Sequence, residues 1–339
     1  MNGSKRSWNR YWTLGSLAVI FAAAAAAMAI GRFTIAPKEL AAVLIPGSFP
    51  DVQVSGQVRT VISNIRFPRV VLALLSGAGL AAAGAAFQGL FANPLATPDT
   101  LGAANGASFG AVLGILLGLP AFGIQTLAMI TGVAAVLMAW SVAQVRGTIP
   151  PLMVILAGMV VSSLFSALVS LVKYAADPQD VPPSITYWLM GSMASTTRTT
   201  LIMGAPFILA GSLLLFLLRW KLNTMSLPED EAKSLGIPVK RIRSLVILGA
   251  AMVTAAVVSM CGQIGWIGLL IPHMVRMIFG NDNRSVVPAS MASGALFMLI
   301  IDTAARSVMA TEIPVSILTS LIGAPCFILL LRKTGGIRL

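Results

Sequence analysis

Long uncharged runs of apolar residues constrain this chain more than any other feature. The run from Leu101 to Val145 contains no charged side chain, and similar runs recur along the sequence. Hydrophobic residues make up 57% of the chain and charged residues only 10%, whereas soluble proteins carry about 25% charged residues. A helix crosses a bilayer with about 20 apolar residues, while the strands of membrane β-barrels alternate apolar and polar residues. The pattern therefore predicts an all-α polytopic membrane protein.

The breaks between these runs predict about ten crossings. Charged or Pro- and Gly-rich stretches separate the runs, and a Gly-Leu-Pro turn at 118–120 divides the longest run into two helices. Two polar stretches, 32–69 and 173–198, contain no strong span. We expect the whole chain, 1–339, to be a single transmembrane domain. The predicted crossings cover residues 12–30, 70–88, two spans within 101–145, 147–172, 199–218, 245–261, 267–279, 286–306 and 313–331.

The basic residues predict an orientation. The formal net charge is +12, but the basic residues lie between apolar runs rather than in a basic and aromatic stretch suited to nucleic acid. Lys and Arg are more frequent in the segments that share a side with the amino terminus, and such an excess marks the cytoplasmic side. We therefore expect both termini in the cytoplasm and no nucleic-acid partner. The first run resembles a signal peptide, but similar spans follow it, so we expect a retained helix.

The sequence contains no recognisable motif for catalysis or for a resident metal. His273 is the single histidine and is predicted to start a helix, and Cys261 and Cys326 lie in apolar segments without metal or redox spacing. No Gly-rich loop with Lys and Ser or Thr is present, so the chain itself is not expected to bind ATP. The glycines within 77–84 are expected to allow close helix packing. We therefore predict a transport subunit without catalytic residues, metal ligands or a cofactor.

Acidic residues are rare inside the predicted crossings, which bears on how transport is driven. Ion-coupled carriers use carboxylates within the membrane as coupling sites, and here Asp302 and Glu312 lie near predicted helix ends. These two residues leave an ion-gradient-driven secondary carrier as the alternative, and an intramembrane enzyme is a more distant one. The scarcity of carboxylates favours energy supplied by a partner protein.

The densest cluster of charge lies in the segment 219–243, which reads RWKLNTMSLPEDEAKSLGIPVKRIR. Pro228 and the three acidic residues after it suit the first turn of a helix, and Gly236 suits its end. We expect a short amphipathic helix outside the membrane at about 222–238. Docking of a soluble motor domain requires such an element.

Two further patches are not explained by a plain helical bundle. The Asn-Pro-Leu turn at 93–95 follows the second crossing, and it is either a tight connection or a mobile constriction at the inner mouth. Arg66, Arg69 and Arg306 are expected at the outer face, against the positive-inside bias. They are either anchors for lipid head groups or contacts for an acidic partner.

Several motifs in the chain form recognisable blocks. They read PRVVLALLSGAGLAAAGAAFQGLFANPLATPDTLGAANGA, EAKSLGIPVKRIR, GWIGLLIPHMVR, and DTAAR followed by EIPVSILTSLIGAPCFILLL, and they run from about residue 66 to residue 333, which is most of the chain. In these residues and in their order, the chain resembles the permease family of type II ABC importers, which carry iron siderophores, haem or cobalamin.

The resemblance implies the type II ABC importer permease fold in a bacterial cytoplasmic membrane. It also implies a second permease subunit that forms a homodimer or a close heterodimer with this chain, two cytoplasmic ATPase subunits that bind ATP and Mg, and an extracytoplasmic substrate-binding protein. The implied cargo is a metal chelate, with an iron(III)-siderophore expected first and cobalamin, haem or an oxyanion as alternatives. The residues that match the family's sites are Arg66, Arg69 and Arg306 for binding-protein docking, Asn93, Pro94 and Leu95 for the cytoplasmic gate, and Leu222, Pro228, Glu229, Asp230, Glu231, Leu235 and Gly236 for ATPase coupling.

Overall fold

The computed structural model describes residues 2–45, 47, 49–144, 150–177, 181–227 and 229–333. Within this part of the chain the regular elements are helical, and no strand is present. The α-helices are α1 Asn2–Ala29, α2 Pro37–Leu44, α3 Gly56–Thr60, α4 Phe67–Leu90, α5 Ala103–Leu116, α6 Ala121–Ala143, α7 Pro151–Ala175, α8 Val181–Leu189, α9 Arg198–Leu222, α10 Glu229–Ser234, α11 Val239–Cys261, α12 Ile267–Phe279, α13 Asn283–Ser307 and α14 Val315–Lys333.

The predicted crossings are helices in the structure. Among the described residues, six helices are long and apolar enough to cross a membrane. The longest, Gly56–Leu90, joins α3, a π-helical turn at Val61–Arg66 and α4. Together with four shorter apolar helices, these six cover the places predicted from the apolar runs, so the all-α polytopic fold is confirmed. The shorter helices are Gly15–Ala29, Ala103–Leu116, Ile267–Phe279 and Val315–Leu330.

The two stretches predicted without a strong span contain short helices. α2 and α3 lie within 32–69, and α3 continues into α4 through the π-helical turn. α8 lies within 173–198, a polar stretch that contains the adjacent prolines Pro182 and Pro183. Both prolines fall in the first turn of α8. Backbone N–H groups in the first turn make no hydrogen bond within the helix, so a proline there costs no hydrogen bond. The proline pair therefore begins this helix rather than preventing it.

Positive backbone φ angles separate α11 from α12, which the apolar pattern alone could have merged. Gly262 ends α11 with a φ of 70°, and Trp266 has a φ of 73° directly before α12. A positive φ is uncommon for a residue with a side chain, so the chain makes a sharp turn there. Because α12 starts immediately after this turn, His273 lies in the middle of the helix, and its predicted position at a helix start was wrong.

α4 is the centre of the bundle. It packs against α9, α11, α12 and α13, and most of its residues are buried. A Cβ atom on Gly77 would lie 2.2 Å from the carbonyl oxygen of Gly294 in α13, and one on Gly84 would lie 1.8 Å from that of Gly268 in α12. The predicted role of these glycines is confirmed, because any side chain would push the helices apart.

Candidate functional site

The residues singled out in the sequence lie at opposite ends of the bundle. α4 contains 24 residues and is therefore about 36 Å long. Arg69 lies in its first turn, and the 93–95 turn follows its last residue. We call the end with Arg66, Arg69 and Arg306 the arginine end. The end with the 93–95 turn and α10 is called the junction end.

At the arginine end, two carboxylates hold Arg69. Its Nε donates to both carboxylate oxygens of Asp302 at 2.9 and 3.2 Å, and its terminal nitrogens lie 2.9 Å from Glu312. Asp302 is completely buried and also faces Arg306, with Nε 3.6 Å from Oδ2. Removing one partner of a buried ion pair typically costs about 3–5 kcal/mol. The cluster therefore ties α4 to α13 and to the segment before α14.

Arg66 and Arg306 cap the end of α1. The last carbonyl groups of a helix have no partner within it, and positive charge is favourable there. Arg66 Nη1 donates to the carbonyl oxygens of Met28 and Ala29 at 2.6 and 2.8 Å. Arg306 Nη2 donates to the carbonyl oxygen of Ala27. Both arginines thus fasten α1 to the central helices.

The three arginines expected to dock a partner are less than 10% exposed, and each has a partner within the chain. Their docking role stays a prediction. Glu312 is the most exposed described member of the cluster, with 27% of its side chain accessible. Asp302 and Glu312, on which the alternative of an ion-coupled carrier rested, both pair with Arg69. Sequence reasoning missed these pairs because 233 and 243 residues separate the partners.

At the junction end, the 93–95 turn is closed by one of its own side chains. Asn93 Oδ1 accepts a hydrogen bond from Leu95 N at 2.9 Å, an arrangement that Asn often makes in turns. Asn93 N donates to the carbonyl oxygen of Gln88 at 3.2 Å, and Ala92 has a positive φ of 46°. Leu95 is 42% exposed. The turn is therefore internally braced and presents an exposed leucine.

The predicted coupling helix is shorter than expected. The segment forms a 3-10 turn at Thr224–Ser226 and then α10, which has six residues. Glu229 pairs with Lys233 at 3.0 Å and with Arg243 at 3.3 Å. The hydrogen bond with Lys233 lowers the pKa of Glu229 below its ordinary value, so these ion pairs persist at neutral pH and are lost only in acid. Gly236, with a φ of 74°, ends the helix as predicted.

The coupling residues divide into exposed and buried ones. Asp230 and Glu231 are exposed, and Leu235 is 66% exposed. Leu222 is fully buried at the end of α9, so it can anchor the segment but cannot contact a partner in this conformation. Pro228 lies outside the described residues.

Three residues missed by the sequence analysis connect these segments. Asn223 follows α9, Arg276 lies in the last turn of α12, and Asn283 begins α13. Asn223 Oδ1 accepts a hydrogen bond from Asn283 N at 2.8 Å, and Arg276 Nη2 donates to Asn283 Oδ1 at 2.9 Å. The GWIGLLIPHMVR motif contains Arg276, but only the packing reveals its partners.

Within the described residues, no group of three or more His, Cys, Asp or Glu side chains is placed to hold a metal ion. Cys261 and Cys326 are free thiols, and His273 packs against the ring of Phe327. Polar clusters that join several helices lie at the arginine end and the junction end, and a further one joins Gln263 to Asn105 and Ser108 in α5.

Comparison with protein-family models shows which family this chain belongs to. The model of the FecCD transport family matches residues 17–333. The chain belongs to the FecCD transport family. As a FecCD protein, it is a multi-pass membrane permease of an ABC importer, a transport subunit that is not itself an enzyme.

FecCD relatives are named for different cargoes. The chain is 39% identical over 307 residues, 90% of each chain, to the molybdate import system permease of Haemophilus influenzae. It is 37% identical to a candidate iron chelatin permease of Helicobacter pylori, over 82% of this chain and 84% of the relative. A solved inward-facing structure of a candidate metal-chelate type ABC transporter has 38% identity and a TM-score of 0.84, covering 94% of this chain and 98% of that one. The chain therefore has the type II ABC importer permease fold and serves a metal chelate or a related substrate.

Proposed function

We propose that this chain is one of two identical permease subunits in a bacterial cytoplasmic membrane, with both termini in the cytoplasm. Two ATPase subunits bind the junction end, and an extracytoplasmic substrate-binding protein binds the arginine end. The observation that carries the proposal is the placement of the family-matched residues at opposite ends of α4, about 36 Å apart, as a route across a bilayer requires. The whole chain, 1–339, then acts as one transmembrane permease domain.

The cargo that we assign first is an iron(III)-siderophore. The match to a candidate metal-chelate transporter and the iron chelatin relative support this assignment. An oxyanion is the second candidate, because the relative named for molybdate matches over 90% of both chains. The binding protein selects the cargo in either case, so a test needs the complete transporter.

The 93–95 turn is the cytoplasmic gate in this proposal. Pro94 restricts the backbone of Asn93 to an extended conformation, and the Asn93 side chain braces the turn from within. Leu95 is exposed in the isolated subunit and can meet its copy across the dimer axis. The gate then closes through contact between two leucine side chains.

The segment around α10 is the ATPase contact. Its exposed side chains, Asp230, Glu231 and Leu235, offer both charge and an apolar surface to a cleft in the ATPase. Leu222 anchors the segment in the bundle, and Gly236 turns the chain back toward α11. Glu229 stiffens α10 through its two ion pairs, and Pro228 precedes the first turn.

The binding protein is received at the arginine end through an exchange of ion-pair partners. Because Arg69 is buried and paired with Glu312, an acidic residue of the binding protein must replace Glu312 to reach it. Glu312 is partly exposed and therefore lies at the entrance of the cluster. Arg66 and Arg306 support the site by fastening α1 beside it.

Reconstitution tests the proposed function and identifies the cargo. The chain is placed in proteoliposomes with its partner ATPase and binding protein, and a complex with an inactive ATPase is the control. Uptake and ATP hydrolysis are measured with ferric siderophores, haem, cobalamin and molybdate. We expect a ferric siderophore to stimulate both rates. Stimulation by molybdate alone would support the second candidate, and uptake driven by an ion gradient without ATP would overturn the proposal.

A further inference from the structure

Helix ends meet at the junction end around one guanidinium group, that of Arg276. Its Nη2 donates to the carbonyl oxygen of Ala85 at 3.0 Å and to Asn283 Oδ1 at 2.9 Å, and its Nε donates to Gln88 Oε1 at 3.3 Å. Gln88 Nε2 in turn donates to the carbonyl oxygen of Leu269 at 3.2 Å. Arg276 therefore binds the end of α4 and the start of α13 at the same time.

A second set of hydrogen bonds leads from Asn283 toward the segment around α10, the proposed ATPase contact. Asn283 is 2% exposed, and its N and Nδ2 donate to Asn223 Oδ1 at 2.8 and 2.9 Å. Asn223 Nδ2 donates to Asp282 Oδ1 at 2.6 Å. Because Asn223 directly precedes the 3-10 turn that leads to α10, a displacement of α10 that moves Asn223 is passed to Asn283.

On the other side, the same network leads to the proposed gate. The carbonyl oxygen of Gln88 accepts a hydrogen bond from Asn93 N at 3.2 Å. A cavity of about 240 Å³ lies beside the turn, with Gln88, Asn93, Pro94, Arg276 and Asn283 among its lining residues. The turn can shift into this space without displacing close-packed core side chains.

We propose that Arg276 is the positioning residue that couples the ATPase-facing segment to the cytoplasmic gate, an inference that rests on the proposed function. A guanidinium group presents five donors in a rigid plane, so it holds acceptors on two helices in one geometry. A lysine ammonium group has the same charge but lacks this fixed fork. Movement of α10 passes through Asn223, Asn283 and Arg276 to Gln88 and then to the turn.

The first test compares cargo uptake per ATP in the reconstituted transporter. Arg332→Gln is the matched control, since Arg332 is an exposed arginine near the end of α14 and is not part of the network around Arg276. We expect Arg276→Gln to lower uptake per ATP by roughly 2- to 30-fold, the usual range for residues that carry coupling. Arg276→Lys should fall between the wild type and Arg276→Gln, and Arg332→Gln should match the wild type. Equal uptake per ATP in all four proteins would overturn the inference.

A second variant covers the case in which Arg276→Gln does not fold. A Cβ atom on Gly89 would lie 2.9 Å from Asn283 Oδ1, so Gly89→Ala disturbs the same junction without removing a charge. We expect Gly89→Ala to insert and bind the ATPase, but to lose uptake per ATP. Normal uptake per ATP in this variant would contradict the proposed route.

A spin label at the proposed gate shows whether Arg276 transmits movement to the gate or only stabilises the fold. A spin label is attached to Leu95→Cys in a background with Cys261 and Cys326 replaced by alanine, and spectra are compared with and without trapped nucleotide. We expect the label to respond in the wild-type background and not with Arg276→Gln, although the ATPase still binds nucleotide. If the label responds in both backgrounds, the inference about Arg276 is overturned, but the gate proposal stands. No response in the wild-type background overturns the gate proposal and the inference with it.

Discussion

At the residue scale, Asn93 and Leu95 contribute differently to the proposed gate. The Asn93 side chain is used within the turn, where its Oδ1 accepts the hydrogen bond from Leu95 N. The Leu95 side chain is 42% exposed and accessible to a contact outside the subunit. We therefore propose that the Leu95 side chain closes the gate and that Asn93 keeps the turn in the conformation that presents it.

We predict that Leu95→Ala increases the leak of small solutes through the resting complex. The substitution shortens the side chain that is proposed to close the gate, while the hydrogen bond from the backbone N–H at position 95 still holds the turn. Leak is measured as efflux of a labelled solute from proteoliposomes without ATP. Asn93→Asp is the matched control, since a carboxylate oxygen can accept the same hydrogen bond, and it should stay tight. Leak should be largest when Asn93→Ala and Leu95→Ala are combined. A tight double variant that folds normally would make the turn a connector.

Substitutions at Gly236, in the turn after α10, test the proposed ATPase contact at a single backbone position. Its φ is 74°, a conformation that costs a residue with a side chain roughly 1–2 kcal/mol, although Asn adopts it more readily. A Cβ atom there would meet nothing within 4 Å, so conformation rather than space decides the effect. We predict that Gly236→Val uncouples ATP hydrolysis from transport and that Gly236→Asn largely preserves coupling. Full transport by Gly236→Val would remove this turn from the coupling mechanism.

At the element scale, glycines set how closely α4 approaches its neighbours. The contact between Gly84 and Gly268 leaves no room for a methyl group, and overpacking a core typically costs about 1–3 kcal/mol. Since α4 also carries Arg69 at one end and Gln88 at the other, its spacing from α12 affects both ends of the bundle.

We predict that Gly84→Ala lowers the melting temperature of the detergent-purified protein, because α4 and α12 must separate. Gly15→Ala in α1 is the control, since its Cβ would meet nothing within 4 Å. Alanine is the better helix former by about 1 kcal/mol, so this variant should be neutral or slightly stabilising. Fluorescence-detected size-exclusion chromatography after heating measures the melting temperature of both variants and of the wild type. Equal melting of Gly84→Ala and the wild type would mean that the helices relax at little cost.

At the scale of the whole molecule, the arginine end and the junction end differ in how they present charge. The junction end exposes acidic side chains on α10, whereas the arginine end buries Arg69 behind the partly exposed Glu312. Docking at the arginine end is therefore expected to be a competition between Glu312 and an acidic residue of the binding protein for Arg69.

We predict that Glu312→Gln tightens capture of the binding protein by roughly 2- to 5-fold, equivalent to the ~0.5–1 kcal/mol of a partly exposed ion pair. The effect should be largest at low salt, where screening is weakest. Asp51→Asn is the control, because it removes an exposed carboxylate in the stretch before α3 without contacting Arg69. Binding is measured by surface plasmon resonance on nanodiscs. Weaker capture by Glu312→Gln would show that Glu312 itself contacts the partner.

The amino-acid sequence by itself determined the class of the protein and the course of its helices. Apolar runs, prolines and glycines act over one helix at a time, so most crossings could be placed to within several residues. Two helices extend further than predicted, since α1 begins at Asn2 and the span that includes α4 begins at Gly56. The end of α10 at Gly236 was predictable for the same reason, since its conformation depends on the residue itself. α8 was missed because two adjacent prolines indicate a break and a helix start equally well.

Only the tertiary structure decided what the charged and polar residues do. Arg69 meets Asp302 across 233 residues, and Arg276 meets Gln88 across 188 residues. These contacts arise because α4 packs closely against α12 and α13, and no pattern near either residue specifies them. An arginine at a helix end can anchor to lipid or bind a buried carboxylate. The choice depends on which other helix ends lie within hydrogen-bonding distance, and the packing of the whole bundle sets that distance.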